Sequence, residues 1–221
     1  GTWTGPSGSS NGTFIPGTSQ PGAYTYTVLG VAPCANATAV VTVNIIMAPN
    51  AGTNGASTVC ASDAPFPLFG LLGGAPNAGG TWTAPGGAAS DGTFTPGTST
   101  AGAYTYTVAG TTPCANATAT VTITVVQPPD PGGNAVLTVC SNGTSVSLFS
   151  ALTGSPTTGG TWKRPNGNPH SGMLNPSSDP AGVYTYTVSG TAPCTSRSST
   201  VQVIKVQAPD AGNDGAITVC S

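Results

Sequence analysis

Near-identical segments recur along this chain about every 80 residues, and that recurrence narrows what it can fold into. Gly1-Thr2-Trp3 returns at Gly80-Thr81-Trp82 and at Gly160-Thr161-Trp162. Gly22-Ala23-Tyr24-Thr25-Tyr26-Thr27-Val28 returns at Gly102 to Val108 and, with one change, at Gly182 to Val188. Pro33-Cys34 returns as Pro113-Cys114 and Pro193-Cys194, and Cys60 returns as Cys140 and Cys220. Tandem modules of this kind build length or multivalency. They do not naturally build the one asymmetric pocket that an enzyme needs.

Two spans hold a complete repeat, 49–128 and 129–208. Residues 1–48 read as a module without its front, and 209–221 as the first strand of a further module. The expectation is therefore a segment of a longer polypeptide.

Charged residues make up 5% of the chain, against about 25% in ordinary soluble domains. Net charge is -2. The basic residues Lys163, Arg164, Arg197 and Lys205 form no stripe, so a nucleic-acid partner has no electrostatic footprint. No apolar run is long enough to span a bilayer as a helix, and direct membrane insertion is not expected. Glycine and proline are abundant without a Gly-every-third-residue period, which excludes collagen. They fall between alternating segments, as turn residues do.

In Tyr104-Thr105-Tyr106-Thr107-Val108 the apolar and hydroxyl residues alternate, which puts the tyrosines and Val108 on one face of a strand. Residues 119–126 repeat the pattern, with Val121, Ile123 and Val125 directed inward. Further strands are expected at 56–60, 66–72, 80–84 and 92–95. The third repeat has its set at 135–140, 146–152, 160–164, 172–175, 183–188 and 199–206. Six or seven short strands split by Gly/Pro turns predict an all-β Greek-key sandwich per module. Trp82, Trp162, Tyr104, Tyr106, Tyr184 and Tyr186 are its expected core anchors. The rival role for the tryptophans is an exposed platform for stacking sugars.

The repeat restricts the cysteine pairings. Cys60 with Cys114 and Cys140 with Cys194 would each staple one module, leaving Cys34 and Cys220 unpaired. The rival register is Cys34–Cys60, Cys114–Cys140 and Cys194–Cys220, bridging neighbours across each linker. The intramodule set is the expected one. An 80-residue core is thin, and closing a loop of about 50 residues contributes roughly 4 kcal/mol. No Cys-x-x-Cys occurs and His170 is the only histidine. Neither a metal site nor a catalytic residue is assigned, and no cofactor is expected.

The junctions Ala48-Pro49-Asn50, Pro128-Pro129-Asp130 and Ala208-Pro209-Asp210 are short, and proline limits their angles. Asp130, Asp210 and Asp214 raise a calcium question, but Asn50 and Asn54 hold the matching places in the first junction, and a hard cation wants carboxylates. Capped turns are the expectation. Asp63, Asp91 and Asp179 stand singly. Asn11, Asn36, Asn116 and Asn142 open N-glycosylation triplets, and the threonine-rich faces suit O-linked sugar.

The run Gly79 to Trp82, Gly92 to Pro96, Ala101 to Cys114 and Val121 to Val125 carries a composite motif. It returns at Gly159 to Trp162, Gly172 to Pro176 and Ala181 to Cys194. This motif resembles the immunoglobulin-like repeats of very large surface and adhesin-like proteins of Bacteroidota. The resemblance implies tandem immunoglobulin-like sandwiches in a secreted, cell-attached stalk or filament, exported by the type IX route. It supplies no catalytic residues.

The leading reading is a structural repeat segment of an extracellular surface filament or adhesin stalk. Its partners are then neighbouring modules of the same polypeptide, with filament self-assembly and a glycan or host-surface ligand left open. The alternative is a carbohydrate-binding accessory module of a secreted polysaccharide-degrading enzyme, which requires a row of exposed aromatics. Residues 209–221 could complete a neighbour's open module by strand addition. One donated strand would still leave the counterpart of 66–72 unfilled.

Overall fold

The computed structural model describes residues 1–212 and 214–220. Two compact units account for these residues. One comprises Gly1–Asn54, Leu72–Trp82 and Thr105–Thr120, the other Gly55–Leu71, Thr83–Tyr104 and the chain from Val121 onward. In the first repeat, β1 (Thr2–Gly5), β2 (Gly8–Ser10), β3 (Gly22–Val28) and β4 (Ala37–Val43) form one sheet in the order β2-β1-β3-β4.

The second repeat has seven strands: β5 (Gly55–Cys60), β6 (Phe66–Pro67), β7 (Thr81–Thr83), β8 (Ala89–Ser90), β9 (Thr93–Phe94), β10 (Gly102–Val108) and β11 (Ala117–Val126). The third repeats them as β12 (Ala135–Cys140), β13 (Val146–Ser147), β14 (Thr161–Lys163), β15 (Pro169–His170), β16 (Met173–Leu174), β17 (Gly182–Val188) and β18 (Arg197–Val206). Each repeat has a five-stranded sheet, β5-β11-β10-β7-β8 or β12-β18-β17-β14-β15, and a two-stranded ribbon, β6-β9 or β13-β16. The hydrogen bonds within β17–β18 are antiparallel, whereas the first strand runs parallel to the last in both repeats, with Gly55 opposite Val121 and Cys60 opposite Val126.

The expected strands at 66–72 and 146–152 are shorter than the pattern suggests. Only their first residues pair, and Leu68–Leu71 and Phe149–Ala151 turn into 3-10 helix. The leucines that flank or open these turns, Leu68, Leu72, Leu148 and Leu152, are buried, so an apolar run here does not mean a strand. The two-residue strands β8 and β15 carry no alternation of their own and escaped the sequence pattern.

Alternation sets the core. Tyr104, Tyr106, Val121 and Ile123 are buried, as are Tyr184, Tyr186, Val201 and Val203. Trp82 is 8% exposed and Trp162 7%. Each indole packs against a tyrosine ring of the neighbouring strand, Trp82 on Tyr106 at 5.0 Å and Trp162 on Tyr186 at 4.9 Å. The tyrosine hydroxyls are satisfied by backbone. Tyr106 Oη donates to Asn77 O (2.7 Å) and accepts from Gly80 N (2.8 Å). Tyr104 Oη donates to Thr100 O four residues back, as Tyr184 does to Pro180 O and Tyr24 to Gln20 O. That short return bond fixes the corner leading into the strand.

The Gly-Gly pair before each tryptophan divides two tasks. Gly79 holds a left-handed φ of 85°, which a side chain resists. Gly80 makes room, because a Cβ there would lie 2.6 Å from Tyr106 Cζ. Gly80→Ala is therefore expected to destabilise the second module by about 1–3 kcal/mol through overpacking. Gly70→Ala, where a Cβ meets nothing within 4 Å, should stay within about 0.5 kcal/mol. Urea unfolding of the two variants tests the difference.

Candidate functional site

The cysteine arrangement departs from the sequence expectation. Cys60 is bonded to Cys194, across 134 residues and from the second repeat to the third. Neither Cys60–Cys114 nor Cys140–Cys194 forms, and Cys34, Cys114, Cys140 and Cys220 are free thiols. The rival linker-bridging register does not form either. The cause is strand direction. Because β5 runs parallel to β11, Cys60 lies beside Val126 at the strand's end. Cys114 precedes the strand's start at Ala117, and the strand's ten residues separate the two by ~30 Å. No intramodule bond can span that distance.

The disulfide sits in a defined setting. Val126 O accepts the amide of Ala61 at 2.9 Å and faces Cys194 Sγ at 3.3 Å. Pro193-Cys194 belongs to the loop between β17 and β18, held by the turn from Cys194 N to Thr191 O. In the second repeat, Gly110 N is bound by the Asn116 side chain across the matching loop. A repeat earlier, Cys114 Sγ approaches Ile46 O at 3.5 Å. The same thiol position therefore recurs without its partner.

A second cluster was missed in the sequence. Asp179, with 6% of its surface exposed, bonds Arg164 Nη2 through Oδ1 at 3.0 Å and His170 Nε2 through Oδ2 at 3.2 Å. The amide of Asn175 also donates to Oδ2 (2.8 Å). Gly172 N–H donates to His170 Nδ1 (3.1 Å), which leaves Nε2 as the donor to the carboxylate. The second repeat makes the same backbone bonds with hydroxyls. Ser90 Oγ receives Gly92 N and Ser99 Oγ receives Thr95 N. Comparing the repeats would have exposed the cluster, since Ala84, Ser90 and Ser99 become Arg164, His170 and Asp179 together. Burial opposes ionisation of Asp179. The bonds from Asn175 and His170 and the charge of Arg164 outweigh it and hold the carboxyl below its ordinary value. The geometry of this cluster is that of a loop lock.

The remaining candidates lie apart. Asn11, Asn36, Asn116 and Asn142 are all exposed. Their Oδ1 atoms accept from Thr13 N, Gly30 N, Gly110 N and Cys140 Sγ. Asn50, Asp130 and Asp210 each cap a junction turn by accepting the amide two residues on, at 2.8 Å. Among the described residues no group of three His, Cys, Asp or Glu side chains could hold a metal ion.

No protein-family model matches the chain, and no curated protein matches it. Among solved structures it is similar to the I-band fragment I67–I69 of titin, with a TM-score of 0.51 and 15% identity over 84% of this chain and 75% of that one. A glutamate-to-alanine variant of the same three-domain fragment gives a TM-score of 0.52 at 15% identity, with the same coverage. At this identity the likeness concerns fold alone. The modules are immunoglobulin-like Greek-key sandwiches. The parallel first and last strands, the tyrosine corner and the strand-borne tryptophan agree with that architecture.

Two outcomes follow. Peptide mapping without reduction should recover a Cys60–Cys194 link and no Cys60–Cys114 link. Reduction should lower stability by up to about 5 kcal/mol, the chain-entropy value for a loop of this length, and less where the two modules unfold separately. Because Asp179 is depressed in the fold, its contribution is fully present above the unfolded carboxyl value of about 3.9. It is lost as pH falls through the lower folded value. Asp179→Ala should remove this acid-sensitive component and cost about 1–3 kcal/mol at neutral pH, by leaving His170 and the Asn175 amide unpaired. Denaturation of both proteins between pH 7 and pH 2 measures it.

Proposed function

We propose that this chain is a structural repeat segment of an extracellular surface filament or adhesin stalk, with modules at 49–128 and 129–208, that supplies length, stiffness and protease resistance and performs no small-molecule chemistry. The observation that carries the reading is the disulfide between successive modules. Such a bond does not strengthen one sandwich. It prevents two sandwiches from parting, which matters where a chain bears tension. Persistent disulfides suit an oxidising, extracellular compartment. Short junctions with proline and with Asn50, Asp130 and Asp210 capping their turns limit bending. The repeat motif's resemblance to Bacteroidota surface proteins supports a cell-attached location and the type IX export route.

The carbohydrate-binding alternative loses its main support, because the tryptophans and tyrosines of the complete modules are buried rather than aligned on a surface. Exposed Asn11, Asn36, Asn116 and Asn142 remain candidate sugar attachment points. Small-angle scattering of the oxidised chain should give an elongated particle with about 35–40 Å per module, the length of typical strands plus their turns. A compact particle would reject the stalk reading.

A further inference from the structure

Tension on a folded chain follows its covalent path, and the Cys60–Cys194 bond changes that path. Cys60 is the last residue of β5, the first strand of the second repeat. Cys194 lies just ahead of β18, the last strand of the third repeat, with only Thr195 and Ser196 before Arg197. The bond therefore joins the entry strand of one sandwich to the exit strand of the next.

Without the bond, load entering β5 at Gly55 leaves the second repeat from β11 at Val126. These are opposite ends of a parallel pair, in which Gly55 lies beside Val121 and Cys60 beside Val126. All of its register pairs are then sheared together, and the sandwich itself carries the load. β12 and β18, also parallel, are loaded the same way between Ala135 and Val206. With the bond, load entering at Gly55 leaves β5 at Cys60, crosses to Cys194 and runs out along β18. Both strands are already extended, at ~3.3 Å per residue, and have little length to give. β11 and β12 lie alongside the loaded strands and are not pulled from them.

We propose that Cys60–Cys194 is the load-bearing link of this segment, carrying tension past residues 61–193 so that β6 to β17 stay off the line of force. The proposal rests on the reading of the chain as a stalk or filament segment, and adds to it a route for the load and a limit on extension. The bond is anchored on both sides. The Cys60 amide donates to Asp63 Oδ2 at 2.8 Å, and Val126 O accepts the Ala61 amide at 2.9 Å. Opposite, Cys194 Sγ lies 3.3 Å from Val126 O, and the Cys194 amide closes its turn on Thr191 O at 2.9 Å. Cys60 is 2% exposed and Cys194 5%, which shields the bond from the soluble thiols that reduce exposed disulfides.

The test pulls single 221-residue chains by their two ends without reductant, and compares the fully extended length with that of Cys60→Ser and of Cys194→Ser. The cysteines are 134 residues apart, so each variant should extend further by about 440–480 Å. A dithiol gives the same comparison without a substitution. It supplies two electrons and two protons to the bond and becomes a disulfide itself. Gly80→Ala, which weakens the second sandwich, should lower the unfolding force of that repeat in the reduced chain and leave the oxidised chain unchanged. Equal lengths with and without the bond overturn the proposal. So does a gain in Cys60→Ser that matches only the shorter Cys60–Cys114 loop, or an oxidised chain in which Gly80→Ala still lowers the force. Each of these leaves the stalk reading standing, because that reading is decided by the shape of the particle in scattering.

Discussion

The parallel pairing of the first strand with the last governs the rest of this molecule. It seats β5 along β11 and β12 along β18 over six residues each. It lengthens the last strand to its full extent and closes one edge of the sheet. It also carries the first strand's cysteine to the end of the last strand, away from the Pro-Cys loop of its own module. A cysteine delivered there can bond only to something beyond its sandwich. The covalent link between modules is thus a consequence of strand direction.

Within each sandwich the same problem, a thin core in a chain with few charges, is met by aromatic pairs rather than by an internal disulfide. Trp82 on Tyr106 and Trp162 on Tyr186 bury large rings, while the tyrosine hydroxyls bind backbone that would otherwise lack partners. The first repeat keeps the same aromatic pairing. Its Trp3–Tyr26 pair survives at 5.1 Å. Its last strand is seven residues long, and Val41 is 52% exposed.

The repeats are also not interchangeable. Where the second module locks its turns with Ser90 and Ser99, the third uses His170 and Asp179, joined to Arg164. A buried carboxylate is tolerated because three donors surround it. The exchange makes one module sensitive to acid where its neighbour uses hydroxyls that do not titrate in that range.

The sequence by itself determined the module, because alternation and turn residues are local signals. Period-two patterns placed Tyr104, Tyr106, Val121 and Ile123 inside, and the spacing of glycine and proline separated the strands. Short strands such as β8, and the 3-10 turn at Leu68–Leu71, were not legible, since two-residue pairs and inward-facing single turns have no period. Only the tertiary structure decided which strands are neighbours and in which direction they run. That decision paired Cys60 with Cys194, and it brought Arg164, His170 and Asp179 to one point across a turn. Cysteine spacing along a chain measures loop length, whereas bonding depends on distance in space, and a parallel strand sends those two quantities in opposite directions.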